Sequence, residues 1–236
     1  MAIELAPTLA DGYVALGNVE VAYDFNWTLA AETLAKARQI DPNNALAIEI
    51  AGHLSHAIAS NEETIAFFRR SIELDPINPT ARKYLGRALY YAGRDDEAEA
   101  TLRQVIDLDP DFQGAHYELG RVLMARGKPA AAVSAFEAEK SAWHILGLPI
   151  GYRAVHRDAE ANAALAALVA NSAGFEYQVA EAYCFFGDAD RAFEWLDRAR
   201  QTHDAGVIWV RGDPLLASLR DDPRYKAFLQ QMNMPE

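Results

Sequence analysis

The feature that most constrains this chain is a phrase that returns at a fixed interval. Pro42, Pro76 and Pro110 stand 34 residues apart, and Pro7 lies 35 before Pro42. Each closes a similar run: AIELAP, RQIDP, SIELDP and VIDLDP. Small pairs recur in step: Leu16-Gly17, Ala51-Gly52, Leu85-Gly86 and Leu119-Gly120. Such a period means that one supersecondary unit is used repeatedly. Each unit leaves an apolar face that only its neighbour can cover, so the units must stack in a row.

The clearest unit is PTARKYLGRALYYAGRDDEAEATLRQVIDLDP, Pro79–Pro110. Leu85, Gly86 and Leu89 form the inner stripe of one helix, and Ala98, Leu102 and Val105 that of a second. Asn78 caps the first helix, Pro79 sits where a first-turn proline costs nothing, Gly93 supplies the turn and Pro110 stops the second helix. Gly86 and Ala98 are small, so the two helices can approach closely. Two apolar-periodic helices in 34 residues resemble the tetratricopeptide repeat (TPR) consensus almost throughout.

The pattern then loosens. A fourth pair, Gly114–Arg126 with Pro129–Lys140, keeps Leu119, Gly120, Leu123, Ala132 and Phe136 but lacks the closing DP phrase. A fifth needs a frame shift. Its first helix contains GLPIG, with Pro149 where the small packing residue belongs, and a kink or broken turn is expected there. That irregularity is either tolerated or a hinge. A sixth pair, in EYQVAEAYCFFGDADRAFEWLDRAR, is regular again. The rest holds a short apolar run, Val207–Val210, and two short helices near Asp213–Leu219 and Asp222–Met232, which read as a cap over the last apolar face. The expectation is an all-α TPR right-handed superhelix of about six helix pairs. Residues 1–9 are the tail of a preceding repeat helix. The array divides at 10–44, 45–78, 79–112, 113–141, 142–172 and 173–204, and 205–236 is the cap.

AIELAP reads as the end of a second helix whose first helix is missing. Tyr13 and Leu16 then face an absent neighbour. Either the chain is a fragment of a longer protein, or another subunit covers this edge through self-association.

Composition excludes several function classes. A formal charge of −12 repels nucleic acid and anionic lipid. No run of 18 apolar residues spans a membrane and no leader is recognisable, so a cytoplasmic location is expected. The single cysteine, Cys184, rules out an internal disulfide and reads as a packed thiol. His53 and His56 lie three apart on one helix, yet no further metal ligands accompany them. No GxSxG, P-loop or GxGxxG occurs. Asp95, Asp96, Glu97, Asp221 and Asp222 stand at helix starts, where they serve the dipole. The chain reads as a non-enzyme with no cofactor and no metal.

What remains is the concave groove lined by the first helices. One residue off the packing stripe it collects Asn18, His53, His56, Lys83, Arg87, Tyr90, Tyr117, Arg121 and Met124, and Arg153 and Tyr177 stand where it would continue. Lys83, Arg87 and Arg121 form a basic row suited to an acidic peptide or a free C-terminal carboxylate. If it is exposed, glutamate in place of Arg87 and Arg121 leaves stability unchanged. The plain reading is that these cations are only solvated. Val14 stands where chaperone-binding TPR clamps have a lysine, so capture of a chaperone tail is not expected.

Two stretches carry a narrower resemblance. YDFNWTLAAETLAKARQIDPNN, with its Trp-containing turn, and the tail from Glu176, with FEWLDRA and DPLLASLRDDPRYKAFL, are similar to the C-terminal TPR regions of bacterial signalling proteins. In those proteins the array follows an adenylate cyclase or a winged-helix domain. The resemblance implies a protein–protein interaction scaffold with a regulatory role. The second function class is a peptide or small-ligand sensor, which an enclosed pocket near Pro149 favours over an open, peptide-shaped groove.

Overall fold

The computed structural model describes Ala6 and residues 8–235. AIELAP therefore lies outside the described residues, apart from Ala6. Among the described residues there is no strand, and twelve α-helices form six consecutive pairs: α1 Ala10–Ala22 with α2 Trp27–Ile40, α3 Ala45–Ile58 with α4 Asn61–Leu74, α5 Pro79–Tyr91 with α6 Asp95–Leu108, α7 Ala115–Ala125 with α8 Pro129–Ala138, α9 His144–Ala154 with α10 Asp158–Ala170, and α11 Glu176–Phe185 with α12 Ala189–Gln201. Two 3-10 turns follow, Ala205–Trp209 and Pro214–Leu219, then α13 at Pro223–Gln231.

Local chemistry sets the helix starts. The side chains of Asn26, Asn44, Ser60, Asn78 and Asp188 accept backbone N–H groups of the first turns of α2, α3, α4, α5 and α12. Pro79 and Pro129 open α5 and α8.

One contact joins the two helices of each early repeat. A Cβ on Gly17 would fall 2.7 Å from Leu34, on Gly86 2.6 Å from Leu102, and on Gly120 2.3 Å from Phe136. Only a hydrogen fits at that layer. In the fifth pair Gly147 and Gly151 pack instead across to the fourth, where their added Cβ atoms would meet the same Phe136 ring at 2.1 Å and 2.8 Å. Three glycines from two helices thus hold one phenyl ring, and Pro149 is not the packing residue. Nor does it break the helix, because α9 runs unbroken from His144 to Ala154 through Pro149. The expected broken turn is absent. The proline leaves the Ile145 carbonyl, four residues back, without its helical N–H donor, and the helix continues regardless.

The stack curves until its ends meet. The Trp27 indole N–H donates to the Met232 carbonyl at 2.6 Å, across 205 positions of chain. The His203 ring stacks on Tyr23 with centroids 4.2 Å apart. The segment after α12 then turns inward. Ala205–Trp209 packs against α1 and α3 on one side and α11 and α12 on the other, and Pro214–Leu219 packs on α11. It lies inside the ring rather than over an end face, with Val207, Val210 and Leu216 fully buried. At the other end Tyr13 is half-buried and Leu16 is 40% exposed.

Candidate functional site

The first helices α1, α3, α5, α7, α9 and α11 face the middle of the ring. Their inward side chains meet the returning segment there, and the basic row is therefore not exposed. Lys83, Arg87 and Arg121 are 6%, 6% and 3% exposed. The carboxylates that meet the two arginines come from other repeats and from the tail. Arg87 Nε donates to Glu118 Oε1 at 2.8 Å. Arg121 Nη2 lies 3.0 Å from Glu181 Oε1 and 2.9 Å from Asp213 Oδ2. Lys83 Nζ donates to the Gln113 carbonyl at 3.2 Å and sits between the rings of Tyr84, Phe112 and Trp143.

Asp213 is the centre of this arrangement. It is 0% exposed and comes from the tail, while its donors come from three different repeats. Tyr91 of α5 donates its hydroxyl to Oδ2 at 2.7 Å, Tyr177 of α11 does so at 2.8 Å, and Arg121 of α7 donates to both carboxylate oxygens. The Leu215 amide closes the set at 2.8 Å from Oδ1. Burial works against the charge of Asp213, but Arg121 and the donated hydrogen bonds hold its carboxyl well below the usual range. Its neighbour Glu181 accepts from the Tyr117 hydroxyl at 3.1 Å. Burial pushes Glu181 well above the ordinary carboxylate range despite Arg121, because two carboxylates share that one guanidinium.

Four residues earlier, Trp209 fills the other half of the concave face. Its ring lies 4.3 Å from His56, 5.7 Å from His53 and 5.8 Å from Tyr84, and the Arg87 guanidinium covers it at 4.6 Å. Burial first, and then the positive charge of Arg87, pushes both histidines down to about 3, so they are neutral.

The structure thus brings His53, His56, Lys83, Arg87, Tyr90, Tyr117 and Arg121 together on one concave face, all buried. Asn18 stays exposed on its rim and Met124 half-buried at its side. The expectation of an exposed basic row is corrected. The row is internally paired, and glutamate at Arg87 or Arg121 would confront buried Glu118, Glu181 and Asp213. Tyr177 belongs to the cluster, whereas Arg153 instead pairs with Asp158 on the outside.

Sequence reasoning missed Glu118, Glu181, Tyr91, Trp209 and Asp213. One signal was present. Glu118 lies three residues before Arg121, which places the two on one helix face. Nothing in the sequence signalled that Asp213 would reach them.

Beside Trp209 the concave face stays partly open. A cavity of 210 Å³ is walled by residues of α1, α3, α5, α9 and α11 and by the turn Asp204–Trp209.

Comparison with known proteins agrees with this fold. The tetratricopeptide repeat family model matches residues 62–111 and 84–143. No curated protein matches the chain. Among solved structures, YrrB, described as a TPR protein with an unusual peptide-binding site, is 20% identical, with a TM-score of 0.50 over 92% of this chain and 94% of that one. Pseudomonas aeruginosa pilF is 21% identical, with a TM-score of 0.59 over 86% and 95%. The anaphase-promoting hetero-tetramer Cut9–Hcn1 gives a TM-score of 0.65 at 18% identity, over 98% of this chain and 44% of that one. At such identities the likeness is one of fold. Residues 62–143 carry tetratricopeptide repeats, and the chain as a whole folds as a TPR-type solenoid.

Proposed function

We propose that the chain is a protein–protein interaction scaffold whose concave face selects segments carrying an aromatic side chain and, four residues on, a carboxylate. The observation that supports this is what the face holds in cis: Trp209 among His53, His56 and Tyr84, and Asp213 among Tyr91, Arg121 and Tyr177. A face built only to be filled needs no converging set of charged donors, because apolar packing stabilises a core at least as well. An external partner with an acidic or C-terminal carboxylate segment competes with the chain's own tail.

The test is a fluorescent peptide spanning Asp204–Leu219, titrated against the wild type and against Trp209→Ala, whose own tail is weakened. The peptide should bind the variant roughly tenfold more tightly than the wild type, and a peptide with Asp213→Asn should lose that gain. If neither protein binds it, the face is permanently closed and partners dock elsewhere. The first place to look is then the α1 edge, where Leu9, Leu16, Val19 and Tyr23 are exposed along one stripe and a second copy could sit.

The narrower placement, as the cytoplasmic regulatory region of a bacterial signalling protein linked to a cyclase or a transcription regulator, rests on the phrases Tyr23–Asn44 and Glu176 onward. A cyclase or winged-helix domain in the reading frame before residue 1 would support it.

A second reading, a small-ligand sensor, is favoured by one observation. The cavity beside Trp209 is walled on one side by Trp143 and Leu146, next to and on the helix that carries Pro149.

A further inference from the structure

The tail leaves a second opening where it crosses the second repeat. A cavity of 340 Å³ lies between the turn that joins α3 to α4 and the segment that follows Trp209. Ala59 and Ser60 stand on one wall, and Arg211, Arg220 and Tyr225 on the other. No acidic residue lines it, in a chain with 34 acidic and 22 basic residues.

Both arginines are fixed in place. Arg211 Nη1 donates to the Ala59 carbonyl, and Arg220 Nη2 donates to the Gly212 and Asp213 carbonyls at 3.0 Å and 3.1 Å. Neighbouring carboxylates are committed elsewhere. Asp213 turns inward to Arg121, Asp222 pairs with Arg224 at 2.8 Å, and Glu62 pairs with Arg94 at 3.2 Å. Glu63 and Asp221 do not line the cavity. On the inner face, by contrast, Arg87 is matched by Glu118 and Arg121 by Glu181 and Asp213.

A guanidinium held by a carbonyl on one side of its planar fork keeps its other N–H groups for a second partner. Two such forks on one cavity bring two positive charges, with no counter-charge from the wall. An uncharged ligand leaves that imbalance untouched, and a single carboxylate balances half of it. A phosphate group carries a charge of about −2 at neutral pH and presents oxygens in several directions, so it can accept from both forks. Ser60 adds a hydroxyl. Its oxygen accepts the Glu63 amide at 3.2 Å as the cap of α4, and its own O–H remains to donate.

We propose that this cavity is a phosphate-binding site in which Arg211 and Arg220 hold the anion and the Ser60 hydroxyl completes the set. The phosphate is either a free anion or a group on a partner's side chain. One wall belongs to the second repeat and the other to the tail, so a bound phosphate ties the two together and strengthens closure of the concave face. That coupling rests on the reading of the tail as a competitor for the face, whereas the site does not.

Titration calorimetry of the whole chain with inorganic phosphate, at constant ionic strength in chloride, should give a Kd of about 1 mM. Ser60→Asp separates the possibilities. Aspartate caps a helix as well as serine does, so the circular dichroism and thermal midpoint should hold, but its carboxylate occupies the arginines and should weaken phosphate binding about tenfold or more. Ser60→Asn caps equally well without a charge and should stay within about threefold of the wild type. Arg220→Gln should weaken binding about tenfold. A short phosphoserine peptide that binds about tenfold more tightly than inorganic phosphate places the natural phosphate on a partner, and equal affinity places it on a free anion. No binding of either probe up to about 10 mM, or equal binding by Ser60→Asp and Ser60→Asn, would overturn the site. With phosphate bound, amide exchange of residues 205–219 should slow, and binding without slowing would overturn the coupling alone. If the tail peptide fails to bind while phosphate does, the interaction-face reading falls and the phosphate site stands.

Discussion

The two surfaces of the helix stack are held together by different physics. Between paired helices the contact is apolar and local. Gly86 meets Leu102 and Gly120 meets Phe136, in each case sixteen positions along the chain. On the concave side the contacts are polar, aromatic and distant. Tyr91 reaches Asp213 across 122 positions and Arg121 reaches it across 92. The first surface repeats because every unit must solve the same packing problem. The second occurs once, because only one tail returns to fill the ring. The difference teaches that size sets the layer between partners, in every unit alike, whereas particular pairs of residues set the inner one.

That contrast can be broken most directly at Arg121. Arg121→Met leaves Asp213 buried without its cation and should cost about 3–5 kcal/mol in urea unfolding. Arg103→Met, which removes a largely exposed partner of Glu99, should stay within about 1 kcal/mol. Equal costs for the two would show that the inner network is no more than surface.

The outer layer is sharpened by Gly120→Ala. The Phe136 ring cannot step aside, because Gly147 and Gly151 hold its other edges. Overpacking should cost about 1–3 kcal/mol, read from the same unfolding curves. A neutral result would mean that the ring has room to move and that the glycine layer does not set the helix spacing.

The inner face should also respond to pH through His53 and His56. Their folded values of about 3 lie below the ordinary value of 6.5. As pH falls below 6.5 the unfolded chain takes up protons first, so stability is full above that value and is lost on the way down toward 3. Each histidine contributes a slope of about 1.4 kcal/mol per pH unit in that window. Glu181 works in the opposite direction, since its raised folded value makes stability fall as pH rises above its ordinary range. The histidine contribution is isolated by comparison. The slope of wild-type stability between pH 6 and 5 should exceed that of His53→Gln by about 1.4 kcal/mol per unit. Parallel curves would mean that His53 takes up its proton in the folded ring.

The smallest effect is expected on the convex side. Glu97 pairs with Arg69 at 3.3 Å and with Arg94 at 2.7 Å, about half exposed, and Arg69→Met, which removes only the longer contact, should change stability by no more than about 0.5 kcal/mol. A larger loss would make the outer surface more specific than its exposure suggests.

Much of this molecule was legible in its residues. The 34-residue period gave the helix pairs, Asn78 marked the start of one of them, and the Leu-Gly pairs marked where helices touch. Those signals are local, so a linear reading finds them. Of the residues chosen for the inward side of the first helices, His53, His56, Lys83, Arg87, Tyr90, Tyr117 and Arg121 lie buried on one face, while Asn18 stays on its rim and Met124 at its side. Their state was not legible. Lys83, Arg87 and Arg121 read as an open row because their counter-charges lie on other repeats and on a tail segment that resembles an ordinary cap. Pro149 read as a break because a proline inside a helical pattern usually is one, whereas α9 continues through it.

By itself, then, the sequence determined a stack of paired helices with a small-residue layer between partners and one polar face turned inward, because those features follow from periodicity within a single unit. Only the tertiary structure decided that the ends of the stack meet, that Trp209 and Asp213 fill the concave face, and that a cavity remains beside them. The physical reason is curvature. Small rotations between successive repeats add up over six units, and no single repeat records their sum.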